Sequence, residues 1–248
     1  MITSFSKNLL NFLLPPTCHI CKLPIKEYNN PYICRFCWEK IKFIEEPVCP
    51  CCGMPFKSNV TLIKSPDFLC GECREKKRYF TKTIAVGVYE GTLSEAIHIF
   101  KYQKKQTMVK HLNAMITDAL LQRLADSDMI IPVPLHKRRL NERGFNQSLL
   151  IAHYLSKRLC IPISIDGLQR VRWTRPQIEL SKDERLKNVR GAFAMGAGLK
   201  PVHTIKEKKI VLVDDVYTTG ATVNECAKVL KKAGASEVVV FTIARVGA

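Results

Sequence analysis

Two patterns of apolar positions divide the chain. Up to about residue 80 the sequence is rich in Cys, Pro and Lys and shows no sustained helical or strand period, as expected where metal rather than a large hydrophobic core holds a fold. From residue 83 the pattern becomes regular. IAVGVY (84–89) reads as a strand, and Leu93, Ala96, Ile97 and Phe100 have the spacing of an amphipathic helix. The same reasoning predicts a helix over 107–125, a buried strand over 129–133, a helix over 148–159, a strand over 209–213, a helix over 221–232 and a strand over 237–243. Strands alternating with helices of this length indicate right-handed βαβ crossovers and a mainly parallel sheet flanked by helices. The expected organisation is therefore a small Cys-rich domain over 1–80 and one α/β domain over 81–248. Residues 166–201 lack clear periodicity and are heavily basic, so they form either a hood over the sheet edge or a mobile loop.

Composition supports a packed protein, with 248 residues of which 46% are hydrophobic. Thirty-nine Lys and Arg against 22 Asp and Glu leave a formal charge of +17, which favours polyanions such as nucleic acid, phosphorylated ligands or acidic lipid. The early run FSKNLLNFLLPP has too short an apolar stretch for a signal peptide, is interrupted by Asn11, and has no small-residue cleavage site after it. It reads as a short amphipathic helix stopped by Pro15 and Pro16. No segment approaches the roughly 20 apolar residues of a membrane span, so no membrane insertion is expected.

Nine of the eleven cysteines lie between Cys18 and Cys73. Cys18, Cys21, Cys34 and Cys37 supply four thiolates in two C-x-x-C pairs, enough to close one tetrahedral Zn²⁺ site. Cys49, Cys52, Cys70 and Cys73 close a second. Cys51 is left over and can replace a neighbour if the register shifts, and interleaved pairing between the clusters also satisfies the spacing. Closed Cys₄ sites are structural, and zinc thiolates imply a reducing compartment, hence a cytoplasmic location. Cys160 and Cys226 sit in apolar segments and read as buried small hydrophobes. Tyr28, Tyr32, Phe36, Trp38 and Phe43, among lysines, either form a small core or offer stacking surfaces to single strands. His98, His111, His136, His153 and His203 are scattered without metal-binding spacing.

The chemistry concentrates in IVLVDDVYTTGAT (210–222). Four apolar residues make a buried strand with Asp214 and Asp215 at its carboxyl end, where ligands of open α/β sheets bind. Tyr217, Thr218, Thr219 and Gly220 form the turn into the next helix, whose first N–H groups and threonine hydroxyls can surround a phosphate. Adjacent carboxylates suit two vicinal sugar hydroxyls, so the combination specifies a sugar phosphate; an Asp pair can also hold a metal directly. Pro132, Val133 and Pro134 end a strand at the same edge. The following Lys137, Arg138, Arg139 and Arg143 face a pyrophosphate or a nucleic-acid backbone, or form a solvated loop. Gly144, Phe145 and Asn146 make the turn into the next helix. Lys101 and Tyr102 follow the 93–100 helix and meet either ligand or solvent.

A hydrophobic strand, two acids and a TTG turn resemble the motif by which type I phosphoribosyltransferases bind 5-phosphoribosyl-1-pyrophosphate (PRPP). The wider chain resembles the ComF and GntX family through PPTCHIC (15–21), CCGMP (51–55), FKYQ (100–103), VPLHKRRLNERGFNQS (133–148) and RVRWTRPQIELSKDERLKNVRGAF (170–193). That resemblance implies a type I phosphoribosyltransferase fold behind a double zinc ribbon. It gives Asp214 and Asp215 the ribose hydroxyls and the catalytic role, has Thr218, Thr219, Gly220, Ala221 and Thr222 around the 5-phosphate, and counts Val216 and Tyr217 among the PRPP-binding residues. Mg²⁺ would accompany PRPP, and Arg170, Arg172, Arg175 and Gln177 would lie where the acceptor is recognised. Purine phosphoribosyltransferases carry an acid where this chain has Thr218, which disfavours a purine acceptor. The biology implied is DNA uptake in natural transformation, with single-stranded DNA and a competence helicase as partners. Non-catalytic DNA binding, or a GntX-like role in gluconate use, are the alternatives.

Overall fold

The computed structural model describes residues 16–25, 30–56, 67–103, 105–174, 181–196 and 205–247, with the side chains of Lys182 and Asp183 excepted. Most of the early amphipathic run, Tyr28, Arg175, Gln177 and His203 lie outside the described residues.

Two one-turn helices, α1 (Arg35–Trp38) and α2 (Gly71–Glu75), each start from a cysteine at the N-cap position, Cys34 and Cys70. Strand β1 (Lys82–Val88) leads into α3 (Gly91–Tyr102). Lys101 and Tyr102 are thus the last turn of the helix instead of following it. The helix expected over 107–125 is broken into α4 (Met108–Asn113) and α5 (Asp118–Gln122). The break falls at Thr117, which is extended and whose hydroxyl accepts from the Leu120 N–H. Strand β2 (Met129–Pro132) is followed by α6 (Lys137–Arg143) and α7 (Gln147–Leu159). The basic run is therefore a helix, not a loop: His136 caps its start and Gly144, at φ 81°, ends it.

The 166–201 stretch holds β3 (Leu168–Arg170), α8 (Lys182–Val189) and β4 (Phe193–Met195). Its two strands pair antiparallel, and a Ser181/Glu184 capping box starts the helix. Strand β5 (Lys209–Tyr217), α9 (Ala221–Lys232) and β6 (Glu237–Arg245) complete the chain. Strands β5 and β6 run past the expected ends at 213 and 243 because each supports the other, Asp214 opposite Thr242 and Tyr217 opposite Arg245.

The main sheet is parallel, in the order β1-β6-β5-β2. Alternation sends Val211, Val213 and Phe241 to one face, against α3, α4 and α7, and Ile210, Leu212 and Val240 to the other, against α9 and the small sheet. Each fully buried side chain of this size contributes about 1.5–3 kcal/mol. The cysteine clusters join these cores instead of having their own. Cys18 and Cys37 pack into the first face, and Cys49, Cys52 and Cys70 into the second.

The connecting segment crosses the sheet edge. Ile44 N–H donates to Val86 (3.0 Å), Val88 N–H donates to Lys42 (2.9 Å), and Phe43 bridges Gly87 antiparallel. A Cβ at Gly87 would stand 2.6 Å from Leu93 Cδ2 and 3.1 Å from the Lys42 carbonyl, so a side chain here would push on both the helix and the crossing segment. Among the described residues, no helix is long and apolar enough to cross a membrane.

Candidate functional site

Strand β2 ends at Pro132, opposite Val213, and its chain leaves after a last bond from Val133 N–H to the Val213 carbonyl (2.8 Å). Strand β5 continues alongside β6 alone. The helix α7 that follows β2 covers one face and the helix α9 that follows β5 covers the other. Connections diverging from adjacent parallel strands leave a crevice at their carboxyl ends. Here it is a cavity of about 370 Å³ with Asp214 and Asp215 in its wall.

The two carboxylates are held differently. Asp214 Oδ1 accepts from Ser148 Oγ (3.1 Å) and from the Asp215 N–H (2.9 Å). Ser148 is positioned by Asn146, which caps α7 by accepting from the Ser148 N–H (3.0 Å) and donates to the Val133 carbonyl (3.1 Å). Burial pushes the Asp214 carboxyl up to about 7, the charge of Asp215 adds to the rise, and Lys101 opposes it. Asp215 is buried and pairs with Lys101 Nζ at 2.8 Å. The FKYQ lysine thus reaches the crevice as a partner of the carboxylate pair.

The turn after β5 is shaped by Gly220, which adopts φ 73° as the N-cap of α9. The Tyr217 ring lies directly beneath, so a Cβ at Gly220 would meet its hydroxyl at 2.2 Å. Thr218, Gly220, Ala221 and Thr222 line the cavity, as does Val216. The Thr219 hydroxyl instead accepts from the Ala221 N–H (3.3 Å), shaping the turn from within. Tyr217 turns its side chain into the core, edge-on to Phe80 (6.2 Å between ring centres).

Of the four candidate cations on α6, Arg139 and Arg143 line the cavity, being one turn apart on one helix face. Arg143 Nη1 donates to Gln147 (3.0 Å), and its guanidinium lies over Tyr102 at 5.2 Å. Lys137 and Arg138 are exposed; Arg138 pairs with Glu142 (3.2 Å) and covers the half-exposed Trp173 ring at 5.3 Å. Arg170 lines the cavity, donates to Thr174, and has its basicity lowered by burial and by the like charge of Arg139. Arg172 turns away and clamps the carbonyls of Asn188 (2.9 Å) and Arg190 (2.7 Å). Sequence reasoning missed the site roles of Ser148, Gln147 and Arg185, which also line the cavity. A helical reading of 137–143 would have separated Arg139 and Arg143 from their neighbours.

Both cysteine clusters assemble in the simple, non-interleaved pairing. Within each, the four Sγ atoms lie within 4.8 Å of one another, with Cys21–Cys34 at 3.7 Å and Cys52–Cys70 at 3.5 Å. A tetrahedral Zn²⁺ with bonds of about 2.3 Å separates its sulfurs by about 3.8 Å, so the sets fit zinc.

The two knuckles are copies of one device. Lys22 N–H donates to Cys18 and Gly53 N–H to Cys49, both from left-handed residues at φ 63° and 67°. Cys34 N–H points at Cys18 Sγ and Cys70 N–H at Cys49 Sγ, each at 3.4 Å. Cys51 stands outside the second set, half-buried. Tyr32 and Trp38 join the core, whereas Phe36 and Phe43 are exposed. Cys226 is buried as expected, but Cys160 is exposed, because it ends α7 in the left-handed conformation at φ 56° and swings out of the helix's apolar face. The described histidines form no metal cluster; His111 packs on Trp38 and its pKa is lowered by burial.

Comparison with known proteins agrees with this architecture. The double zinc ribbon domain family matches residues 9–74 and the phosphoribosyl transferase domain family residues 146–248. Competence protein F of Haemophilus influenzae is 33% identical over 218 residues, spanning 86% of this chain and 90% of the relative. The chain belongs to the ComF family. Other relatives of this ComF-family chain are the DNA utilization protein YhgH of Escherichia coli K12 and Competence protein ComFC of Bacillus subtilis. YhgH is 31% identical over 237 residues, spanning 94% of this chain and 98% of its own length. ComFC is 25% identical over 223 residues, spanning 86% and 84%. Among solved structures, the glutamine PRPP amidotransferase of B. subtilis aligns with 49% of this chain and 24% of its own at 25% identity and a TM-score of 0.32, too partial an overlap to add weight. The ComF-family fold here is a type I phosphoribosyltransferase domain preceded by a Cys-rich zinc ribbon.

Proposed function

We propose that this ComF-family protein binds PRPP with Mg²⁺ in the crevice at the end of β5 and acts in the handling of incoming DNA. The observation that carries the reading is the adjacency of the Asp214–Asp215 pair to the threonine-lined start of α9 in one cavity. The carboxylates accept from the two vicinal hydroxyls of the ribose. The N–H groups and hydroxyls from Thr218 to Thr222 take the 5-phosphate, helped by the start of the helix. Arg139 and Arg143 reach for the pyrophosphate.

Two carboxylates fit a Mg²⁺ that keeps water and substrate oxygens as most of its ligands, and the ion supplies charge neutralisation of the pyrophosphate. If an acceptor attacks ribose C1, the C1–O bond to pyrophosphate breaks as the new bond forms, and the buried carboxylates stabilise the positive charge that develops on the sugar. The names of the relatives, Competence protein F and DNA utilization protein, support the DNA role, and a cytoplasmic location is part of the same reading.

Calorimetric titration with PRPP and Mg²⁺ tests the site. Saturable binding that disappears in an Asp214→Asn, Asp215→Asn double variant supports it, and no binding by folded, zinc-loaded protein refutes it. Pyrophosphate release across a panel of bases and amines then tests turnover, and transformation frequency in a deletion strain tests the biology.

A second reading, DNA binding without turnover, is favoured by two exposed rings stacked with cations, Trp173 under Arg138 and Phe36 under Lys40 (4.1 Å). In this reading the partners are single-stranded DNA and a helicase. Salt-dependent anisotropy with an oligonucleotide tests it, with Trp173→Ala and Phe36→Ala expected to weaken binding severalfold each.

A further inference from the structure

The second cysteine cluster lies under the phosphate turn. Arg78 connects them: its side chain is 5% exposed, Nη1 donates to the Thr219 carbonyl at 3.3 Å, and Nη2 stands 3.5 Å from Glu72 of the α2 knuckle. The same guanidinium lies against the Cys73 thiol. The segment is fastened to α9 as well, since Tyr79 N–H donates to Asn224 Oδ1 (2.8 Å) and Asn224 Nδ2 donates to the Lys77 carbonyl (3.4 Å). Arg245 forms a second link. It is fully buried, Nε donates to the Cys52 carbonyl (2.7 Å), Nη2 points at Cys52 Sγ (3.3 Å), and the guanidinium lies 5.1 Å over the Tyr217 ring that supports Gly220.

Four thiolates around Zn²⁺ make a doubly negative unit, and two buried guanidinium groups balance it. Without the metal-held thiolates, Arg245 loses the anion that justifies its burial and Arg78 keeps only Glu72. The geometry points to Arg78 as a positioning residue that ties zinc occupancy of Cys49, Cys52, Cys70 and Cys73 to the shape of the phosphate turn. This rests on the phosphate-binding reading above for its functional consequence, but the coupling itself is mechanical.

The test uses full-length, zinc-loaded protein and the variants Arg78→Lys and Asn224→Ala. Arg78→Lys keeps a cation by Cys73 and loses the planar reach to Thr219, so it should retain two zinc ions per chain. Three quantities are measured: zinc per chain, backbone hydrogen exchange in peptides spanning residues 217–224, and PRPP affinity by calorimetry. The expected result is unchanged zinc, faster exchange in the turn, and PRPP affinity weakened by about tenfold, as for loss of one charge-assisted hydrogen bond, with a smaller change for Asn224→Ala. Should Arg78→Lys fail to fold, Asn224→Ala alone decides by the same exchange readout. Wild-type exchange and affinity in a variant holding two zinc ions overturns the coupling. If wild-type protein binds no PRPP, the ligand reading fails, while the exchange measurement still decides whether Arg78 holds the turn.

Discussion

The two cysteine knuckles share a ligand set, a backbone fold and a left-handed residue at the same place, yet what lies behind them differs. The first rests on apolar residues of α3, and its neighbouring cations, Arg35 and Lys22, turn to Glu39 and to a backbone carbonyl in solvent. The second is backed by Arg78 and Arg245, both drawn inside the protein. One motif thus serves two purposes. The first knuckle adds a small apolar patch to a helix-covered face, whereas the second sets a buried charge pattern beneath a ligand turn. C-x-x-C spacing specifies the metal and says nothing of which purpose applies.

Removing one ligand from each cluster should break the symmetry most visibly. Cys70→Ser and Cys34→Ser are each expected to cost one zinc ion per chain, but Cys70→Ser should destabilise by about 3–5 kcal/mol more, because buried guanidinium groups lose their counter-charge. Metal content and thermal melting check this, and equal losses would show that the arginines matter little. Arg245→Met isolates one of them. A loss of about 2–4 kcal/mol in urea unfolding is expected as the Cys52 carbonyl and thiolate lose their donors.

Asp214→Asn provides a contrast that neither knuckle touches. Its folded pKa, about 7, lies above the unfolded value near 3.8, so ionisation costs the folded state stability that is lost as pH rises from about 4 through 7. The variant should be more stable than wild type by up to about 4 kcal/mol at pH 8, the gap closing as pH falls below about 4; melting curves across pH decide. The smallest effect belongs to the first knuckle. Thr92 Oγ donates to the Cys37 carbonyl at 2.9 Å, and Thr92→Val should cost about 1 kcal/mol with zinc content and ligand binding unchanged.

These contrasts also mark what the sequence could reveal. The four strands of the main sheet, α3, α7 and α9, the ligand pairs and the Asp214–Thr222 turn were readable because their signals are local: period, C-x-x-C spacing, and a strand that ends in acids; β3 and β4, three residues each, are too short to show a period. The basic helix α6 escaped because KRRLNER has almost no apolar face to show a period. The split between α4 and α5 depends on one threonine cap. Arg78 and Arg245 were invisible because their partners lie 141 and 193 residues away in the chain. Arg245 left one clue, a cation closing a strand that is apolar from Val238 on except for Thr242, where a charge requires a partner. Lys101 was noticed, but only folding brings it onto Asp215.

The strap at residues 42–44 has a consequence for solubility. It occupies the hydrogen-bonding edge of β1, while the opposite edge is guarded by Pro132 and by the chain at 162–164, which bonds Ile130 on both sides. Among the described residues, both margins of the sheet are therefore closed to strand addition. The strap hangs between the two metal knuckles, so chelation would free it and bare the edge of β1 from Val86 to Val88. Metal-starved protein is thus expected to precipitate through edge-to-edge pairing, and the metal acts as a guard against aggregation as much as a support for the fold.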